Sequence, residues 1–167
     1  LTCPMVESSR RYILSRLAAL VCTTALLACV APQASAAPDF REEVVALTNA
    51  ERAKAGCGAL KRHESLDQAA QGHSADMAEK NYFSHTGQDG SSPFDRIERA
   101  GYPKNTGQAE NIAAGYPSPS EVVTGWMNSA GHKKNMLNCS YKSIGVGYAH
   151  NEGAQWRHYW VQTFGTR

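Results

Sequence analysis

At 167 residues the chain has the length of one domain with a sizeable core, and its 42% hydrophobic content separates it from disordered chains. Its 17 Lys and Arg against 15 Asp and Glu leave a formal net charge of +2. With no basic stripe, that balance argues against nucleic acid as a partner.

The chain opens on a segment that reads as a leader. Arg10, Arg11 and Arg16 form a basic region, Leu17 to Ala31 is an uncharged apolar run, and Ala34-Ser35-Ala36 supplies a cleavage pattern. Residues 1–36 are therefore predicted to be a secretory signal peptide, leaving one domain over residues 37–167. The apolar run is short for a membrane span and no later stretch approaches one, so the mature product is expected to be secreted and monomeric, with no transmembrane segment. "SRRYIL" at 9–14 resembles a twin-arginine signal, so that route stands beside the general one. "LLAC" at 26–29 offers lipid anchoring at Cys29 as the alternative, against which stand the bulky Leu27 and the lack of a flexible tether.

Losing the leader removes Arg10, Arg11, Arg16 and Glu7, so basic residues fall from 17 to 14, acidic ones from 15 to 14, and the mature domain is formally neutral. Of the five cysteines only Cys57 and Cys139 remain. Two cysteines in an exported domain predict one disulfide. The competing reading, a cysteine ligand or nucleophile, is weakened because neither has a histidine beside it.

In chain order, "FREEVVALTNAERAKAG" carries Phe40, Val44, Val45, Leu47 and Ala50 at helical spacing before Gly56, which predicts a first helix. A second is predicted from Ser65, read as its cap with Gln68, to about Asn81, with Leu66, Ala69, Ala70, His73 and Met77 on one face. Ser92-Pro93 opens a short third helix that Gly101 stops. Ser118-Pro119 opens a fourth, read as continuous through "PSPSEVVTGWMNSAGHKKNML" and carrying Val122, Val123 and Trp126 inward. "YKSIGVGYAH" and "RHYWVQTFG" predict an antiparallel hairpin turned at "NEGA", and "AENIAAGY" a further strand. Helices grouped before a C-terminal sheet make the chain α+β.

Four stretches, "NYFSH" (81–85), "AENIAAGY" (109–116), "GWMNSAGHKKNML" (125–137) and "SIGVGYAH" (143–150), with "LTNAERAKAG" and "LDQAAQGHSADMA", resemble the bacterial branch of the CAP superfamily. That superfamily comprises cysteine-rich secretory proteins, antigen 5 and pathogenesis-related 1 proteins, and the resemblance spans nearly all of residues 40–167. It implies a three-layer α-β-α sandwich with a mostly antiparallel central sheet and helices on both faces. It also implies a cleft whose two histidines and two glutamates can bind a divalent metal. The histidines fall on His85 and His132 and one glutamate on Glu110; where the family has its second glutamate this chain has Ser129. Two imidazoles and one carboxylate can hold Zn2+ or another divalent cation with an open water position. The loss of the second carboxylate removes the obvious general base.

Each residue also has a plainer explanation. His85 could interact with a helix C-terminus, His132 could brace a turn, and Glu110 could pair with a lysine or arginine. Glu121 is explained by helix capping and Ser129 as a helix-terminal or cleft residue. His73 is read as buried, while His63, His150 and His158 are read as exposed. Asn111 and Asn135 are read as fixing backbone. Two functions follow: a secreted binding or signalling module for a lipid, peptide or cell-wall component, or a zinc-dependent hydrolase built on His85, His132 and Glu110.

Overall fold

In a computed structural model, described for residues 39–167, the elements run α1 (Phe40–Lys54), β1 (Lys61–Arg62), α2 (Glu64–Glu79), α3 (Pro93–Arg99), β2 (Gln108–Ala114), α4 (Pro119–Met127), α5 (Ala130–Met136), β3 (Ser143–His150) and β4 (His158–Gly165). The predicted leader, its cleavage site and Cys29 lie outside the described residues.

Local chemistry starts each helix. The Asp39 carboxylate accepts the Arg41 N–H to open α1, and Glu42 and Glu43 follow in the first turn, where the dipole favours them. Ser92 and Asp95 cap each other reciprocally around Pro93 to open α3, and Ser118 accepts the Glu121 N–H ahead of α4, both as predicted. Two predictions need correction. The cap of α2 is His63, whose Nδ1 accepts the Ser65 N–H at 3.2 Å, so Ser65 lies inside the helix. The predicted long fourth helix is two helices, because Asn128 ends α4 and Ser129 turns the chain into α5 with an extended backbone.

The strands form one sheet in the order β1-β3-β4-β2, with β1 parallel to β3 and the remaining pairs antiparallel. β1 is polar and two residues long; pairing with Ser143 and Ile144 alone makes it a strand, which explains why periodicity gave no sign of it. On one face Val44, Val45, Val122, Trp126, Ile144, Val146, Trp160 and Phe164 pack under α1 and α4. On the other, Ala70, Met77, Ile112, Tyr159 and Val161 pack under α2. The result is the three-layer α-β-α sandwich, with β2 as an edge strand.

Two features tie α1 to the segment after α5. Cys57 and Cys139 form a disulfide with Cα atoms 4.9 Å apart. Arg52, fully buried, donates to the carbonyls of Gly58, Met136, Asn138 and Tyr141. Thr48 is also fully buried, whereas Ala50, expected on the inner face of α1, is exposed.

Candidate functional site

The cleft forms along the open edge of β2. Gly115 donates to the His158 carbonyl and Thr166 to the Gly107 carbonyl, so the odd-numbered residues of β2 bond to β4. The even-numbered residues therefore point their N–H and C=O groups outward. Three outward carbonyls are met by side chains: Gln108 by the Tyr141 hydroxyl at 3.5 Å, Glu110 by Asn135 at 3.4 Å and Ile112 by the Trp126 indole at 3.2 Å. The outward N–H groups of Ile112 and Ala114 have no partner among the described residues. The edge thus offers the Ile112 and Ala114 N–H groups as donors, while three of its four outward carbonyls are already occupied.

His85 reaches this edge from the loop after α2. The helix stops at Lys80, Asn81 takes a left-handed backbone (φ 52°), and the chain doubles back. His85 lies beyond that turn, clear of the helix terminus. Its Nδ1 sits 2.8 Å from Glu110 Oε1, while the other carboxylate oxygen accepts from Arg96 at 2.9 Å. Arg96 also donates to the carbonyls of His85 and Ser91, so one guanidinium fixes the loop and the carboxylate together. The Glu110 side chain is 3% exposed and that of Arg96 is 11%, and a buried charge needs such partners. Arg96 carried no sequence signal, since its partners are brought to it by the fold.

His132 approaches from the opposite side, in the first turn of α5. Asn111, buried, donates to the His132 carbonyl at 3.1 Å and to Gln162 Oε1 at 3.2 Å, and accepts from Asn135 at 2.9 Å. Gln162 in turn donates to Thr48 at 2.8 Å. This polar chain pins α5 to β2 through bonds between elements, not within a local turn. Burial, and after it the charge of His85, holds His132 below the ordinary imidazole range, so it is neutral at pH 7.

A groove of about 280 Å³ runs along the edge, lined by His132, Ile112, Ala113, Ala114, Phe83, Tyr116, Gly125, Trp126 and Ser129. A neighbouring depression of about 450 Å³ shares Tyr116, Gly125 and Ser129 and holds Glu121. Glu121 is exposed there and bonded to its capping partner Ser118 at 3.1 Å. Ser129 is the N-cap residue of α5.

His73 is buried on α2 as predicted, with Nε2 2.8 Å from the Ser84 carbonyl. Of the three histidines read as exposed only His150 is so; His63 and His158 are half-buried. Burial, partly offset by the Glu110 charge, lowers the His73 pKa below its ordinary 6.5. A lowered folded pKa means the unfolded chain binds more protons at mildly acid pH, so this stability is present above about pH 6.5 and is lost as pH falls through the folded value. Thermal melts from pH 7.5 to 5 should show a falling Tm, with a shallower slope in His73→Gln, which keeps a donor for Ser84. Parallel slopes would remove His73 as the source.

The fold is a three-layer α-β-α domain whose edge strand carries the Glu110–His85 pair, beside a groove that His132 lines. The chain belongs to the Cysteine-rich secretory protein family, CAP, which it matches over residues 45–164. It is 46% identical over 117 residues to the Bacillus subtilis (strain 168) protein YkwD, covering 70% of this chain and 45% of that protein. An extracellular protein containing a SCP domain from Bacillus anthracis str. Ames superposes with a TM-score of 0.67 at 31% identity, covering 77% of this chain and 40% of that one. An outer surface protein from Borrelia burgdorferi superposes with a TM-score of 0.67 at 24% identity, a likeness of fold, covering 78% of this chain and 96% of that one. The chain therefore spans less than half the length of the two Bacillus proteins. No helix among the described residues is long and apolar enough to cross a membrane.

Proposed function

We propose that this chain is an exported binding module that holds a peptide-like ligand along β2, between His85 and His132, without turning it over. The observation that carries this reading is the commitment of Glu110. Both carboxylate oxygens are taken, by His85 and by Arg96, and the family's second glutamate is Ser129. A hydrolytic cleft needs a carboxylate or equivalent base within reach of the attacking water, and Glu121 faces the neighbouring depression instead.

The donor row supports a ligand with spaced carbonyl oxygens. In strand addition, main-chain bonds supply affinity and flanking pockets supply selectivity. Here the N–H groups of Ile112 and Ala114 would bond the ligand backbone, and Phe83 and Tyr116 would flank its side chains.

The same residues suit a divalent cation in a limited way. Glu110 on Nδ1 orients His85 and leaves Nε2 facing away, the outer-partner arrangement that supports metal-binding imidazoles. His85 and His132 would hold the ion, with water or ligand completing its sphere, since no three His, Cys, Asp or Glu side chains among the described residues converge. Such an ion would add a positive charge for a ligand carboxylate or carbonyl.

The test incubates the full chain with a tryptic digest of casein, with and without ZnCl2. Hydrogen exchange at Ile112 and Ala114 and the masses of the peptides are followed together. Slowed exchange at both amides with every peptide intact is the expected result. New fragments that vanish in His85→Ala would replace this reading with the hydrolase. Unchanged exchange without cleavage would remove peptides as the ligand.

A further inference from the structure

His150 and His158 lie opposite each other at the turn end of the β3–β4 hairpin. The next pair outward is the hydrogen-bonded one, Asn151 donating to the Arg157 carbonyl at 2.8 Å. His150 and His158 therefore occupy a non-hydrogen-bonded position, where facing side chains approach most closely. Their ring centroids are 4.6 Å apart and their planes 33° from parallel.

The surroundings orient both rings. The Tyr148 hydroxyl bonds His158 Nδ1 at 2.8 Å, leaving Nε2 as the free nitrogen. Tyr148 itself is wedged against Trp160, centroids 4.2 Å apart, so the partner that aims His158 belongs to the packed aromatic layer. Glu152 Oε1 lies 3.3 Å from His150 Nε2, and its other oxygen pairs with Arg157 at 3.4 Å. Burial, then the charge of His150, lowers the His158 pKa; Glu152 and Glu121 act against that shift and Arg157 with it. Ligation would use the Nε2 lone pair that the Tyr148 bond to Nδ1 leaves free.

We infer that the cross-strand pair His150 and His158 is a binding site for a first-row transition-metal ion, Cu2+ foremost, separate from the cleft on β2. Paired imidazoles facing across a hairpin are the donors such ions prefer, and Cu2+ stands highest in the general affinity order. Since no three candidate ligands among the described residues converge, the protein supplies two nitrogens and water supplies the rest. Glu152 is 72% exposed, so its pair with His150 is solvent-screened and can yield to an ion. The site shares no residue with His85, Glu110 or His132, so it stands or falls independently of the peptide-binding reading.

Copper binding can be read directly, because a bound Cu2+ ion would sit next to Trp160 and quench its fluorescence. The full chain is titrated with CuCl2 at pH 7.5, following fluorescence and heat, alongside His150→Ala/His158→Ala and His85→Ala/His132→Ala. Expected are saturable binding with electron paramagnetic resonance of nitrogen-ligated copper, and a roughly 10- to 100-fold weaker affinity in the hairpin variant. The cleft variant should quench like the wild type. His150→Ala alone, at an exposed position, should remove one nitrogen from the resonance spectrum without disturbing far-ultraviolet circular dichroism. Unchanged affinity in the hairpin variant, quenching lost only in the cleft variant, or no saturable binding would each overturn the site.

Discussion

Arg52→Ala is expected to destabilise the domain by roughly 3–5 kcal/mol, among the largest effects of any single substitution. Arg52 is fully buried and pairs with no carboxylate among the described residues; it is held by four carbonyls, at 3.0 Å (Gly58), 2.7 Å (Met136), 2.9 Å (Asn138) and 3.2 Å (Tyr141). Burial lowers its pKa, yet a guanidinium remains charged. Truncation leaves those carbonyls without a donor, two of them in buried bonds, where an unmet polar group costs about 1–3 kcal/mol. Arg52→Lys should recover only part of the loss, because an ammonium cannot span the planar fork.

The Cys57–Cys139 bridge closes the same junction across 82 residues. Its removal in Cys57→Ser/Cys139→Ser should cost roughly 2–4 kcal/mol. The two devices order the same loop, so the combined variant should depart from additivity by about 0.5–3 kcal/mol. Urea unfolding of the four proteins measures this. An Arg52→Ala cost below about 1 kcal/mol, or strict additivity, would show that the carbonyl cage does not hold the junction.

The second large effect falls on β3. A Cβ at Gly147 would lie 2.2 Å from the Ala70 carbonyl oxygen, and one at Gly145 2.1 Å from the Leu66 carbonyl carbon. Both contacts are with backbone, so no side chain can swing aside, and α2 must lift off the sheet. Gly147→Ala is expected to cost about 1–3 kcal/mol or more, although alanine usually outranks glycine inside a strand by about 0.5–1 kcal/mol. Gly72, on the outer side of the same helix, has nothing within 4 Å. Gly72→Ala should therefore stabilise by about 0.5–1 kcal/mol. Opposite signs in thermal melts of the two variants would establish that α2 rests on bare β3 backbone. Equal signs would refute it.

Features settled within a few residues could be read from the sequence. Ser92-Pro93 and Ser118-Pro119 start helices because a cap needs only its own first turn, and the β3–β4 hairpin follows from alternation on either side of a turn. The same local logic misassigned the α2 cap, because Ser65 and Gln68 fit a capping box as a pattern while the imidazole of His63 takes the bond. It also ran α4 into α5, since composition does not mark the turn at Asn128 and Ser129.

Resemblance brought His85, Glu110 and His132 forward, but residue types alone left Glu110 free to be a metal ligand, a base or half of an ion pair. The sequence by itself determined the starts of α1, α3 and α4, the hairpin and the two paired cysteines. Only the tertiary structure decided that Glu110 is spent on His85 and Arg96, that Arg52 and Thr48 are interior, and that β2 presents donors at an open edge. The reason is distance along the chain. Arg52 finds its farthest carbonyl 89 residues away and Gln162 reaches back 114 residues to Thr48, whereas a sequence pattern records only what neighbours impose on one another.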